Sequence, residues 1–209
     1  MTDKYIFHYF KANARGMLTK AILSSSKKEW TDDIIEFYKW KDLKKSGLCE
    51  FEQLPVLEHN NKKLCQSLAI DLYLLKQFNL YGKNDEEEYQ INSLFCTFED
   101  LFDLPHKLIF LNDEKKKEEI KNQFVEKFKL YLKKYEERYV SLGKGKYFLG
   151  DHFSGADIYI GSALPYFCDI IGKDIVKENC PNLFELIEKL KNNELKEFFE
   201  KYYFKDSSI

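Results

Sequence analysis

Apolar and polar positions follow two different rhythms along this chain, and the change falls near residue 80. Between Tyr5 and Phe10 apolar and aromatic side chains run on almost unbroken, which predicts a strand. Ala14, Met17, Leu18, Ala21 and Ile22 then recur at helical spacing. Ile34 to Tyr38 predicts a second strand, so that strand, helix and strand form a βαβ unit with the right-handed crossover such units adopt. Val56 to Glu58 and Lys63 to Cys65 flank the polar run His59-Asn60-Asn61-Lys62 and read as a hairpin. A helix follows from Ser67 toward Phe78. Residues 1–80 therefore predict a mixed α/β domain of β-α-β, a loop, then β-β-α.

From residue 86 the spacing is helical throughout. Ile91, Leu94, Phe95, Phe98, Leu101 and Phe102 mark one face; Ile120, Phe124, Phe128, Tyr131, Tyr135 and Tyr139 mark the face of a long helix that Gly143 and Gly145 end. The mixed charges of Asp113 to Lys121 suit a solvated face at the start of that helix. Leu183, Leu186, Ile187 and Leu190 give a further amphipathic helix. Residues 86–209 thus predict an all-helical domain, with Asn79 to Asp85 as linker. The expected fold class is α/β plus all-α.

Composition narrows the function classes. The chain has 209 residues, 44% hydrophobic and 33% charged, which suits a soluble globular protein of one large or two small domains. Its 18 Phe and 14 Tyr are ample for a core. A formal net charge of -2 makes neither nucleic acid nor an anionic membrane surface an expected partner. No apolar run is long enough to span a bilayer, and Met1 to Lys4 lacks the apolar region of a signal peptide. Cys49, Cys65, Cys96, Cys168 and Cys180 are odd in number and show no CxxC spacing. They point to ordinary thiols in a reducing compartment, such as the cytoplasm, rather than a disulfide framework or a zinc site. The four histidines are scattered without ligand spacing, and no metal is expected.

The chemistry-bearing stretch is Gln53 to Ser67. Pro55 stands between Leu54 and the run Val56-Leu57, where it cannot donate a ladder hydrogen bond, and the Leu54-Pro55 bond is a candidate cis peptide that leaves the Leu54 amide and carbonyl available to a ligand. Ser67 stands where an N-cap stands, ahead of Ala69, Ile70 and Leu72. No Glu or Gln follows at the third helical position, so the helix-start amides are open to an anion such as a carboxylate. A plain turn followed by a capped helix accounts for the same residues equally well. In the second half, Ser154-Gly-Ala-Asp157 has the spacing of a reciprocal cap before Ile158, Tyr159 and Ile160.

The layout, with these residues in these places, resembles the cytosolic glutathione transferases, most of all the sigma class with its glutathione-dependent prostaglandin D synthases. The resemblance runs through most of the chain and is strongest at Tyr5 to Arg15, Trp40 to Lys44, Phe51 to Leu74 and Phe148 to Ile160. It implies a thioredoxin-like domain followed by an all-helical domain that forms the electrophile pocket. It also assigns roles. Tyr9 matches the catalytic tyrosine that hydrogen-bonds the glutathione sulfur, and Arg15 an arginine that supports it. Trp40 and Lys44 match residues that hold the glycine carboxylate. Gln53 matches a further side-chain contact, Leu54 the backbone contact beside the family's cis-proline (here Pro55), and Gln66 and Ser67 the residues on the γ-glutamyl end. Asp100 matches an acidic residue that reaches the ligand of the partner subunit in a homodimer. Ser154 and Asp157 match a structural helix cap.

The chain departs from the family pattern at Asn13-Ala14, where the family has Arg-Gly, and at Met17, where it has an acidic residue. Two extra residues fall between Lys44 and Gln53, and Glu99 replaces an aspartate. The resemblance implies a glutathione transferase that conjugates its co-substrate glutathione to small hydrophobic electrophiles in detoxification. The alternatives are a glutathione-dependent prostaglandin-type isomerase and a non-catalytic ligand-binding or structural relative. A thiol–disulfide reductase needs a cysteine near residues 9–16, and none is there.

Overall fold

Four strands give the first part of the chain its frame: β1 (Tyr5–Tyr9), β2 (Trp30–Ile34), β3 (Val56–His59) and β4 (Lys62–Cys65) form one sheet in the order β2-β1-β3-β4. β1 runs parallel to β2 and antiparallel to β3, which runs antiparallel to β4. The computed structural model describes residues 3–108, 111–171 and 174–204. Residues 1–2 and 205–209, the outer ends of the two expected domains, lie outside the described residues. Contacts divide the described chain into a sheet unit, residues 3–79 with 197–204, and a helical unit, residues 80–196.

In the sheet unit the expected helices form as α1 (Met17–Ser25), after a 3-10 turn at Ala14–Gly16, and α3 (Ser67–Gln77). They pack on each other, and between them the buried Thr19 hydroxyl donates to Asp71 Oδ1 at 2.5 Å. Phe7, Leu18, Ile22, Val56, Leu57, Ile70 and Leu74 make the core. The β-α-β, β-β-α order around a mixed sheet is thioredoxin-like.

One strand lies elsewhere than the pattern predicts. β2 occupies Trp30–Ile34, and most of the stretch Ile34 to Tyr38 leads into and begins a short helix, α2 (Phe37–Leu43). The reason is that β2 is an edge strand, which carries polar side chains without disrupting a core. Its two aspartates are paired across the structure: Asp32 Oδ2 takes the buried Lys20 ammonium at 2.8 Å, and Asp33 Oδ2 lies 2.6 Å from His8 Nδ1. The aromatic residues that imitated a strand, Phe37 and Tyr38, are 75% and 76% exposed on α2.

The helical unit holds α4 (Asp85–Leu108), α5 (Glu114–Ser141), α6 (Gly155–Ile171), α7 (Ile175–Asn179) and α8 (Pro181–Asn192). Four acidic residues in the first turn of α4, Asp85 to Glu88, complement the positive end of its dipole. Phe95, Phe98, Phe102, Phe124, Phe128, Tyr159 and Phe167 are buried together in the core. At the start of α6 the buried Asp157 carboxylate accepts from Phe148 N at 2.7 Å, Ser154 N at 2.9 Å and Ser154 Oγ at 3.0 Å. Burial pushes the carboxyl up to about 7, and these donors pull it back down.

Candidate functional site

Strand register gathers most of the sequence-predicted residues at one end of the sheet. Tyr9 closes β1 and pairs with Ile34, the last residue of β2. His8 faces Val56, the first residue of β3, and Val56 faces Cys65, the last of β4. The segments that leave the sheet here are therefore Phe10 onward, Ile35 toward α2, Leu54-Pro55 on the way in, and Gln66-Ser67 on the way out. Tyr9, Trp40, Leu54, Pro55, Gln66 and Ser67 all belong to this end.

Tyr9 is 6% exposed. Burial pushes its phenol up to about 12, while the Arg15 amide, the Arg15 charge and the Gly16 amide pull it down. The Arg15 and Gly16 amides of the 3-10 turn before α1 thus favour negative charge on the phenol oxygen. A phenol kept protonated this far up has its own proton to donate to an acceptor. Arg15 is brought to Tyr9 in this way, through its backbone as well as its charge.

Gly16 has no role in the sequence pattern, yet it sets the position of Tyr9. A Cβ built on Gly16 meets Tyr9 Cδ1 at 2.3 Å and Cε1 at 2.7 Å, so only glycine lets the ring lie on this turn. Asn13, a departure from the family pattern, is 4% exposed. Its side chain donates from Nδ2 to Phe204 O at 2.7 Å and accepts from Phe204 N at 3.0 Å. A glycine and a small amide next to Arg15 were the available signals for both.

The Leu54-Pro55 bond is cis, as its setting predicts. Ser67 needs correction: it is the first residue of α3, 8% exposed, and the cap position before it is held by Gln66 at φ 70, ψ 113 without a side-chain cap bond. The backbone turn at Gln66, not a serine cap, starts the helix. The first amides of α3 have no intrahelical acceptor and open on this end of the sheet.

Trp40, on α2, packs edge-on against Phe10 at 5.9 Å and 88°, one residue from Tyr9. Lys44 caps α2, its amide donating to Trp40 O at 2.8 Å; its half-exposed ammonium is 3.9 Å from Glu52. Such an exposed pair binds weakly and leaves the lysine available to another anion. Gln53 is exposed at its side chain and held at its backbone: the Cys49 thiol donates to Gln53 O, and Gln53 N donates to Cys49 Sγ at 3.1 Å. Cys49 is a support that the pattern did not distinguish from an ordinary buried thiol.

Asp100 belongs to the helical unit. It is exposed on α4, where Tyr131 donates its hydroxyl to Asp100 Oδ2 at 3.2 Å and Lys127 donates to Asp100 O at 2.7 Å. Among the described residues no group of three or more His, Cys, Asp or Glu side chains is placed to hold a metal ion. No helix among them is long and apolar enough to cross a membrane.

Two family models match the chain: "Glutathione S-transferase, N-terminal domain" over residues 35–76, and "Glutathione S-transferase, C-terminal domain" over residues 99–202. Glutathione S-transferase A of Cavia porcellus is 32% identical over 171 residues, covering 78% of this chain and 75% of that protein. The solved structure of prostaglandin synthase D of Nilaparvata lugens superposes with a TM-score of 0.82 at 28% identity, over 96% of this chain and 99% of that one. The structure of rat hPGDS complexed with a quinoline does so with a TM-score of 0.83 at 25% identity, over 96% and 98%. The chain belongs to the glutathione S-transferase family.

Proposed function

We propose that the protein binds glutathione at the sheet end built from Tyr9, Arg15, Trp40, Lys44, Gln53, Leu54, Gln66 and Ser67, and transfers its thiolate to small hydrophobic electrophiles. The observation that carries this reading is the Tyr9 phenol, buried, kept protonated and seated on the Gly16 turn at the end of the sheet where Leu54-Pro55 and Gln66-Ser67 also lie. A free thiol has a pKa of about 8.5 and is a few per cent thiolate at neutral pH. Lowering it by ~2 units takes ~2.7 kcal/mol in favour of the anion. A hydrogen bond to a charged acceptor contributes ~1.5–3 kcal/mol, so one phenol supplies most of what is needed without a metal. The reaction then requires only that the thiolate be held in line with an electrophilic carbon.

In this reading residues 1–80 take glutathione and residues 86–209 furnish the surface for the electrophile. The glycine carboxylate goes to Lys44 and Trp40, the cysteinyl backbone to Leu54, and the γ-glutamyl carboxylate to Ser67 and the open amides of α3. Asp100 serves the neighbouring site in a homodimer. Five free cysteines fit work in the reducing cytoplasm, in detoxification. A second reading, glutathione-dependent isomerisation of a prostaglandin precursor, is favoured by the two prostaglandin-synthase structures matched above.

The test is binding first, then turnover. Calorimetric titration with glutathione should show one site per chain, and Ser67→Ala should weaken it by ~1–3 kcal/mol through loss of a hydrogen bond to a carboxylate. An aryl halide should then be conjugated. Isomerisation without conjugation selects the second reading; binding with neither activity selects a ligand-carrying relative; no binding overturns the site.

A further inference from the structure

Two of the five cysteines meet. Cys49 Sγ lies 3.7 Å from Cys65 Sγ, the one from the loop before Pro55 and the other from the end of β4. The two differ in access: Cys49 is 4% exposed, and Cys65 is partly exposed. Burial holds the Cys65 thiol above its ordinary range and the Cys49 thiol beside it adds to this, while the Glu50 amide opposes them. What marks the pair is the distance between the two sulfurs and the partial exposure of one of them. Cys168 and Cys180 are buried, and burial pushes their thiols up to about 11; Cys96 is exposed on α4. The loop that carries Cys49 holds no strand, and at its Gly47, at φ 79, an added Cβ meets nothing within 4 Å. Closing the sulfurs to the ~2.05 Å of a disulfide is thus a movement of one irregular loop.

We propose that Cys49 and Cys65 form a reactive dithiol that low-molecular-weight disulfides oxidise to an internal disulfide. The Cys65 thiolate attacks one sulfur of the small disulfide; that S–S bond breaks, and the leaving thiolate takes up a proton. Cys49, giving its proton to solvent, then attacks the Cys65 sulfur and releases the second small thiol. Two protein thiols are oxidised and one small disulfide is reduced to two thiols, with no other reactant. The product consumes the S–H that holds Gln53 O, and it ties the loop before Pro55 to the strand that delivers Gln66 and Ser67. The bond formation does not depend on glutathione binding at that corner.

The experiment treats the full-length reduced protein with bis(2-hydroxyethyl) disulfide at alkaline pH, which favours the thiolate, and reads intact mass and a non-reducing peptide map. The expected product has lost two hydrogens, carries the Cys49 and Cys65 peptides joined, and is restored by dithiothreitol. Cys49→Ser should stop at a mixed disulfide on Cys65, and Cys65→Ser should leave Cys49 a thiol. A wild-type map in which Cys49 and Cys65 stay reduced while Cys96 is modified overturns the proposal. So does a stable mixed disulfide on wild-type Cys65. Both readings come from the wild type, so they hold even where a variant misfolds.

Discussion

The ring of Tyr9 rests on the backbone of Gly16: a single added carbon there falls 2.3 Å from Tyr9 Cδ1. Gly16→Ala therefore cannot coexist with the present ring position. Overpacking of this kind costs ~1–3 kcal/mol, and the phenol must move away from the amides that orient it. The expected result is a folded protein, a few degrees less stable, whose aryl-halide turnover falls at least ~10-fold, as for a misplaced single donor. Wild-type turnover in Gly16→Ala would show that the ring position is immaterial.

Tyr9→Phe removes the donor and leaves the packing. Turnover should drop ~10- to 1,000-fold, with glutathione affinity little changed. The pH profile separates the two ionisations. With the Tyr9 phenol held up to about 12, no inflection near neutrality belongs to it. The inflection on the acid side reports the bound glutathione thiol and should move to higher pH in Tyr9→Phe, which ultraviolet titration of the bound thiolate will measure. An inflection that stays in place rejects the assignment.

Asp157 concerns stability. Its carboxylate takes three donors in a buried setting, so Asp157→Ala orphans two backbone amides and a hydroxyl. A loss of ~3 kcal/mol or more is expected, at ~1–3 kcal/mol per unsatisfied group, with catalysis per folded molecule retained. The pH dependence has a definite sign. Burial raises the folded pKa to about 7 from 3.8, so the folded state holds its proton more tightly than the unfolded chain. That contribution is complete below the unfolded value and is lost as pH rises toward the folded one. The stability gap between wild type and Asp157→Ala should shrink from pH 4 to pH 7 in urea unfolding. A gap that widens shows that the three donors outweigh burial.

Asp100→Asn tests the shared site. A glutamyl ammonium wants an anion, and Gln66 and Ser67 supply none. Asparagine can still accept from Tyr131, so the helix surface is preserved. The glutathione KM should rise by the equivalent of ~1.5–3 kcal/mol, more than kcat falls. Subunits carrying Asp100→Asn, mixed with subunits carrying Tyr9→Phe, should form heterodimers with one doubly defective and one intact site, restoring about half the wild-type activity, the arithmetic of a shared site. Monomers by light scattering, or no recovery after confirmed exchange, dismiss the arrangement.

What the chain disclosed about itself follows from where its signals are local. The aromatic periodicity of α4 and α5 and the hairpin around His59-Asn60-Asn61-Lys62 are short-range patterns, and the structure carries them as they read. β2 misled because an edge strand can be polar when its charges find partners, Lys20 for Asp32 and His8 for Asp33, and those partners lie on other elements. Phe37 and Tyr38 misled in the opposite sense, as aromatic residues that stay in solvent. In the candidate site, the Leu54-Pro55 bond and Gln66-Ser67 stand out by type and spacing, whereas Tyr9, an aromatic at a strand end, is singled out only by the family resemblance. Gly16, Asn13 and Cys49 do not stand out: Gly16 acts through an atom it lacks, Asn13 through a backbone 191 residues away, and Cys49 through a loop turn that no periodic pattern marks.

The pairing of Asn13 with Phe204 has a bearing on how the molecule comes into being. The Trp30 and Tyr202 rings meet at 4.6 Å with a 41° tilt, Phe198 is fully buried, and Lys20 lies 5.2 Å from the Phe204 ring, so the segment from Phe198 to Phe204 completes the layer over α1 and β2. A ribosome makes these residues after the whole helical unit. The sheet, though made before the helical unit, has its own side closed only by residues that follow that unit. Chain order and spatial closure are thereby uncoupled: a chain stopped at residue 196 exposes the apolar surface that Phe198 and Tyr202 cover.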